Sequence, residues 1–204
     1  MAFNPNQLLN NPSALMALRG AKGQKKEEGE SVQKIAPPPF NQGLYKDAFS
    51  RLGLLHIANV ADLGCGAGNF TSVMVEKNQR PEVYIGVDQS HTQIQIAKQA
   101  YPGWHFVYGD FNAAYVRQEY ERFEAYLLLN VLDTIEDDLG FLEGITSGKY
   151  LVFSYPKAER EGSLRFFPDN YSMRDRYSAL LNIRTIGTFR GDNEEYGMVA
   201  AVKW

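Results

Sequence analysis

The segment Asp62-Leu63-Gly64-Cys65-Gly66-Ala67-Gly68 decides how this chain is read. The apolar run Asn59 to Leu63 has the length of a buried strand, and Phe70, Val73 and Met74 behind the segment share one face of a helix. Three alternate glycines between them let the backbone turn sharply and approach a bound group without side-chain clashes. The amides of such a turn, with the first amides of the helix, can surround that group. A glycine turn alone does not name the ligand, since a tight turn uses the same residues.

The alternation of short apolar runs and amphipathic stretches continues on both sides. Val83 to Val87 reads as a second strand, followed by a helix carrying Ile94, Ala97 and Tyr101. Trp104 to Tyr108 reads as a third strand, and a poorly defined helix near Ala113 to Tyr120 leads to a fourth, Ala125 to Leu129. Ile135, Leu139 and Leu142 mark another helix before the fifth strand, Tyr150 to Tyr155. This predicts an α/β fold with a doubly wound, mostly parallel sheet. After a helix marked by Met173, Tyr177, Leu180 and Leu181, residues 182–190 and 196–203 flank Gly191-Asp192-Asn193, a hairpin signal that brings the strand count to seven and ends the sheet in an antiparallel strand.

Upstream, Leu44, Ala48, Leu52 and Leu55 fall on one face of a leading helix, with Pro37-Pro38-Pro39 marking its boundary. Residues 1–40 hold too little apolar material to offset the entropy of ordering, and read as a flexible N-terminal arm. A short helix near residues 11–19, begun by Asn11 and Pro12, is expected inside it. Residues 41–204 read as one domain, which suits a chain of 204 residues that is 44% hydrophobic. The single cysteine, Cys65, cannot form an internal disulfide, and no secretory signal or membrane-length apolar run is evident. A cytoplasmic protein with no membrane partner is therefore expected. The net charge of -3 gives no general reason to expect nucleic acid, but residues 110–143 carry nine acids against Arg117 and Arg122, whereas residues 156–190 carry seven bases against four acids. Such polarity can draw an anionic partner to one side, and a solvated helix face explains it more simply.

Two further acids sit at strand ends. Asp88 closes the second strand, 20 residues after Gly68, where a carboxylate can accept both hydroxyls of a ribose. Asp110 closes the third in Tyr108-Gly109-Asp110-Phe111, placed to accept from an adenine amino group. Open α/β sheets bind ligands at the carboxyl ends of their strands. With these residues the chain resembles the class I methyltransferase family, which has a seven-stranded Rossmann-like fold, over roughly residues 41 to 204. The first motif of that family, an acid followed by three alternate glycines, is matched by Asp62, Gly64, Gly66 and Gly68, with Cys65 as a small residue inside the turn. The resemblance implies that the glycine loop holds the aminocarboxypropyl part of S-adenosylmethionine and that Asp88 holds its ribose. It implies that Asp110 and the Phe111 amide recognise adenine beside Gln89, where the family commonly has an apolar residue, and that Asn130 lies near the methionine portion. The product would be S-adenosylhomocysteine. A nicotinamide dinucleotide site uses a similar turn, but its fingerprint wants glycine where this chain has Asn69.

Methyl transfer from a sulfonium is an in-line displacement, so positioning is the main contribution expected of the enzyme. A base helps when the nucleophile is a hydroxyl or ammonium. Asp133 after the fourth strand and Tyr155 after the fifth are the substrate-side candidates, and each reads equally as a loop polar group or a packing aromatic. His56, His91 and His105 are assigned no catalysis. The Pro-Pro-Tyr-like or Pro-Cys element of nucleic-acid base methyltransferases is absent from Asn130-Val131-Leu132-Asp133. Asp133 with Asp137 and Asp138 could be read as a metal-ligand set, but acids at a helix start explain them better, and no metal is expected. Ser154 to Tyr177 is the expected substrate-facing segment, combining Tyr155, Phe166, Phe167, Tyr171 and Tyr177 with Arg160, Arg165, Arg174 and Arg176. The expectation is an S-adenosylmethionine-dependent methyltransferase acting on an O or N atom of a small molecule. The alternatives are an RNA or protein methyltransferase docking through the arm and the basic 156–190 segment, and a non-catalytic module that binds the cofactor.

Overall fold

Strands that are apolar along nearly their whole length need a sheet covered on both faces. The structure, a computed structural model, describes residues 39–54, 57–112, 121–190 and 194–204. Strands β1 (Asn59–Leu63), β2 (Val83–Asp88), β3 (Phe106–Tyr108), β4 (Ala125–Leu128), β5 (Tyr150–Pro156), β6 (Leu181–Arg190) and β7 (Glu195–Lys203) form one sheet in the order β3-β2-β1-β4-β5-β7-β6. The first five are parallel, and β7 runs antiparallel to both β5 and β6. The strand order reverses between β1 and β4. A crevice outside the carboxyl ends of two such strands is where ligands bind in open sheets.

Alternation along the strands divides the core in two. Val60, Tyr84, Leu127, Val152 and Met198 face helices α1 (Pro39–Leu54), α2 (Asn69–Glu76) and α3 (His91–Ala100), which bury Leu44, Ala48, Phe70, Val73, Ile94 and Ala97 against them. Ala61, Val87, Leu128, Phe153 and Val199 face the other way, toward α4 (Asp138–Glu143) and α5 (Asn170–Tyr177), which contribute Phe141, Leu142, Met173 and Tyr177. Helix α1 is further tied to the sheet edge, because Arg51 donates to Asp47 one turn back at 2.8 Å and to the Thr185 hydroxyl of β6 at 2.6 Å. The edge strand β6 carries Arg184, Thr185, Thr188 and Arg190 to solvent, polar groups that discourage pairing with another chain.

The seven-stranded, mostly parallel sheet with its terminal hairpin is as expected, with local differences that have physical causes. The antiparallel strand lies one place in from the edge, because β7 rather than β6 pairs with β5. The third strand begins at Phe106, since the Trp104 amide turns back to the Tyr101 carbonyl at 3.0 Å. Ile135 lies outside any helix: Leu132–Thr134 form a 3-10 turn, and Asp137 caps α4 by accepting from the Gly140 amide at 2.9 Å, so the helix starts at Asp138. Leu181 opens β6 opposite Lys203 instead of ending α5. Helix α1 starts at Pro39, slightly before the boundary expected at residue 41; proline suits a first helical turn. The rest of the expected arm with its short helix, Leu55, His56, the helix near residues 113–120 and the turn at residues 191–193 lie outside the described residues.

Tyr155 on β5 stands opposite Gly197 on β7, and a Cβ at Gly197 would overlap the tyrosine ring. Gly197→Ala is expected to cost about 1–3 kcal/mol through overpacking, read as a lowered urea midpoint at unchanged slope. Tyr155→Phe, which removes only the hydroxyl's 2.8 Å bond to Asn170, should cost about 1 kcal/mol. An unchanged midpoint for Gly197→Ala would contradict this packing.

Candidate active site

The loop after β1 leaves the sheet over the end of β2. Gly64 and Cys65 both donate from their amides to the Val87 carbonyl, at 2.7 and 3.0 Å, and the Gly68 amide closes back on the Cys65 carbonyl at 3.1 Å. Gly64, Gly66 and Gly68 all have left-handed backbones, with φ of 76°, 55° and 83°. A Cβ at Gly64 would overlap Val131, just beyond β4, and one at Gly68 would come within 2.9 Å of the Tyr101 ring. Glycine is thus required twice over at these two positions, by φ and by close approach. Gly68 also offers α2 no side-chain cap, whereas Ser90, Asp137 and Asp169 cap α3, α4 and α5. The first amides of α2 are left for a ligand.

The acid at the end of β2 is oriented by this loop. Asp88 accepts from the Gly66 amide through Oδ2 at 2.9 Å and from the Ser90 amide through Oδ1 at 2.8 Å. Each oxygen keeps acceptor capacity beyond those bonds. Gln89 beside it is exposed. Asp110 is also exposed, with its Oδ1 accepting from the Asn112 amide at 2.9 Å. The Phe111 ring is buried and meets Phe141 edge-on at 6.0 Å between centroids. Beyond β1 on the sheet, Asn130 lies in the turn two residues after β4 with φ of 59°, a conformation asparagine tolerates better than most residues. Its amide donates to the Ser154 hydroxyl at 2.8 Å, and that hydroxyl donates back to Asn130 Oδ1 at 3.2 Å.

A second polar group gathers beyond Asn130. Asp133 is buried, and its Oδ2 accepts from Arg160 Nη2 at 3.0 Å and from the Ser163 hydroxyl. Arg160 donates Nε to Ser163 at 2.7 Å and Nη1 to the Tyr196 hydroxyl at 2.8 Å, and its guanidinium lies 5.3 Å from the Tyr196 ring centre. Tyr196 in turn donates to Glu194. On the glycine-loop side Asn69 donates to the Tyr45 hydroxyl of α1 at 3.2 Å. Burial pushes Tyr45 up to about 12, with the Asn69 bond opposing and the Asp62 charge adding.

Residues 57–180 match a family model described as a methyltransferase domain. The chain belongs to the methyltransferase domain family. Trans-aconitate 2-methyltransferase of Azoarcus sp. (strain BH72) is 38% identical over 68 residues, which are 33% of this chain and 26% of that protein. The enzyme of the same name from Rhizobium etli is 27% identical over 115 residues, 54% of this chain and 43% of that protein. The chain thus matches less than half the length of either relative. Among solved structures, magnesium protoporphyrin IX methyltransferase from Synechocystis PCC 6803 with bound S-adenosylhomocysteine superposes with a TM-score of 0.62 at 16% identity, covering 98% of both chains. An N-methyltransferase of Bradyrhizobium japonicum WM9, in complex with the same ligand, gives 0.62 at 19% identity over 83% of this chain and 90% of that one. These likenesses show the Rossmann-like methyltransferase fold.

Within this domain the glycine loop, Asp88 and Asn130 are brought to the carboxyl edge of the sheet around the switch between β1 and β4, with Gln89 and Asp110 exposed just beyond β2 and β3. Asp62 is turned beneath the loop: its Oδ2 accepts from the Tyr84 hydroxyl at 2.7 Å, which itself accepts from Thr71 at 3.1 Å. Cys65 is buried, and burial with the charges of Asp62 and Asp88 pushes its thiol well up, against reactivity. Tyr155 is buried, bonded to Asn170, packed edge-on against Phe167 and pushed up to about 12 by burial and the Asp169 charge. His91 opens α3 and lies edge-on to Tyr108 at 5.6 Å. Burial and Lys98 hold His105 below its usual range, in the turn before β3. The suggested triad of acids is dispersed: Asp137 caps a helix and Asp138 takes hydrogen bonds from Arg176 and Tyr177 with Arg165 at 3.5 Å. Among the described residues no three His, Cys, Asp or Glu converge as for a metal, and no helix is long and apolar enough to cross a membrane.

Tyr45, Tyr84, Ser163 and Tyr196 were not legible as site residues. Tyr45 carried one signal, its position next to Leu44 on the apolar stripe of the leading helix; Tyr196 lay inside an ordinary alternating strand.

Asp62 supplies a pH test. Burial pushes its carboxyl up to about 7, with the Asp88 charge adding and the Tyr84 bond opposing. A carboxyl raised on folding stabilises the fold fully below its ordinary value and loses that contribution as pH rises to about 7. Asp62→Asn should therefore gain thermal stability relative to the parent as pH rises from 4 to 8, by up to about 4 kcal/mol. A pH-independent difference between the two melting curves would exclude the raised carboxyl.

Proposed function

We propose that this protein is an S-adenosylmethionine-dependent methyltransferase that modifies an O or N atom of a small molecule. The observation that carries the reading is the glycine loop, whose uncapped helix and Gly66-oriented Asp88 present amides for a carboxylate and a carboxylate for a diol at one crevice. The residues fit the cofactor: the α2 amides would hold its carboxylate, Asp88 its ribose hydroxyls, Asp110 and the Phe111 amide its adenine, and Asn130 would border its methionine portion. When bound, S-adenosylmethionine supplies an electrophilic methyl group on a sulfonium. The protein's part is to align an acceptor nucleophile with that methyl. Relatives named for trans-aconitate support the size of the acceptor, a small molecule rather than a macromolecule, and not its reacting group.

The macromolecular alternative loses its motivation, because the basic segment is largely spent internally. Lys157 pairs with Glu195 at 2.8 Å, Arg160 with Asp133, and Arg176 with Asp138, while Arg165 donates to the Leu132 carbonyl at 3.0 Å and the Glu136 carbonyl at 2.9 Å. The division into an arm, residues 1–40, and a catalytic domain, residues 41–204, belongs to the same proposal. So does a cytoplasmic location, with which the buried, unpaired Cys65 is consistent.

Calorimetry with S-adenosylhomocysteine tests the reading. The parent should bind, and Asp88→Asn, which keeps the shape but removes the charge accepting the ribose hydroxyls, should weaken binding about 10- to 100-fold. Absence of binding to the parent protein refutes it.

A further inference from the structure

The Asp133 carboxylate is asymmetric. Oδ2 takes both Arg160 and Ser163, whereas Oδ1 is buried and has no hydrogen-bond partner among the described residues. The residue is 1% exposed, so solvent does not satisfy that oxygen. Buried carboxylate oxygens are nearly always bonded, so an open one calls for a donor supplied by a bound molecule or a water.

The surroundings define what kind of donor. Three N–H groups of Arg160 are committed, to Ser163, Tyr196 and Asp133, and its charge is already matched by Asp133. Burial would push the guanidinium down, but the Asp133 charge and the Tyr196 contact outweigh it and keep Arg160 charged. Glu194, bonded through Tyr196, adds a further negative group. Asp133 and Glu194 stand beside Arg160, and Arg165, donating to the Leu132 and Glu136 carbonyls, adds a second cation next to them, so the surrounding charges are largely matched and what the open oxygen calls for is a hydrogen-bond donor. Its place fits an acceptor: Asp133 follows Asn130 by three residues, Val131 touches the glycine loop at Gly64, and the Leu164 amide closes the β5 loop on the Asp133 carbonyl at 2.9 Å.

We propose that Asp133 Oδ1 receives the N–H or O–H of the nucleophile, so that this methyltransferase acts on an amine- or hydroxyl-bearing small molecule rather than on a carboxylate; the proposal rests on the function proposed above. Asp133 takes the acceptor's proton as the acceptor's lone pair forms the new bond to the methyl carbon and the carbon–sulfur bonding pair leaves with sulfur. The carboxylate becomes a neutral acid as the sulfonium becomes a thioether, so charge balances. Arg160 and Ser163 are positioning residues that hold Oδ2 and thereby aim Oδ1.

The test uses the full chain with methyl-labelled S-adenosylmethionine and a panel of primary amines, alcohols, phenols and carboxylates. Label is expected on amines or hydroxyl compounds. On the compound used best, Asp133→Asn should lower kcat/KM about 100-fold or more, with S-adenosylhomocysteine affinity by calorimetry unchanged. Calorimetry of that same compound on protein saturated with S-adenosylhomocysteine should show weaker binding to the variant, a readout independent of turnover. Should Asp133→Asn fail to fold, Ser163→Ala is expected to lower kcat more than it raises KM while binding S-adenosylhomocysteine normally. Labelling confined to carboxylates, labelling of none of these classes, or variants indistinguishable from the parent would overturn the assignment while normal S-adenosylhomocysteine binding leaves the methyltransferase reading standing. Loss of that binding in the parent refutes the broader reading instead.

Discussion

The Val87 carbonyl accepts two amides at once, those of Gly64 and Cys65, and much of the carboxyl edge of the sheet is arranged by that sharing. Leu63 is still paired with Val87 in parallel register, so the chain must turn out of the sheet within one residue of its last ladder position. Only a left-handed backbone makes that turn, and Gly64 supplies it at φ of 76° where a side chain would overlap Val131. The next amide to point across, that of Gly66, reaches Asp88 one residue beyond Val87. A single acceptor at the end of β2 therefore fixes both the path of the loop and the orientation of the acid beside it. The start of α2 follows, because Gly68 ends the turn in another left-handed conformation and begins the helix without a capping side chain.

The alternation of runs made the sheet legible, since apolar strands of this length leave few other arrangements. The glycine spacing made the loop legible because φ above zero restricts residue choice so strongly. What escaped was set by side chains meeting over long sequence distances. The Asp62–Tyr84 and Arg160–Tyr196 contacts join residues 22 and 36 positions apart, and nothing in either local pattern distinguishes those tyrosines from packing aromatics. Tyr155 read equally as a substrate-side group and as a packing aromatic from its place at a strand end, and what bears on that choice is again distant in sequence: Gly197 across the ladder opens a space that the ring fills. Helix α4 began late for a local reason, the competition between an apolar period starting at Ile135 and a cap at Asp137. The cap prevailed because it satisfies an otherwise orphaned amide at Gly140.

The separation of charge along the sequence, acids in residues 110–143 and bases in residues 156–190, has its explanation in pairing. The loop after β5 and helix α5 fold back across the segment after β4, so the arginines of one stretch meet acids of the other. Asp138 illustrates the balance: burial alone would push its carboxyl up, yet the hydrogen bonds from Arg176 and Tyr177 and the charges of Arg165 and Arg176 hold it below the usual carboxylate range. A buried charge so compensated is expensive to leave half paired, and this makes the two segments fold together. The same fold-back presents Arg160 and Ser163 to Asp133.

That arrangement limits how the site can choose its acceptor. An arginine free of acidic partners would attract any small anion over a long range, but Arg160 is paired at 3.0 Å and shares its remaining donors with neutral hydroxyls. Its field is that of a dipole with Asp133, and a dipole's attraction falls off faster than a charge's. Selection in such a site acts at contact distance, through the single open oxygen of Asp133. Discrimination by a buried acceptor is also steep, because an acceptor molecule lacking the matching donor leaves the carboxylate unpaired and away from water, whereas one carrying it restores a charged hydrogen bond.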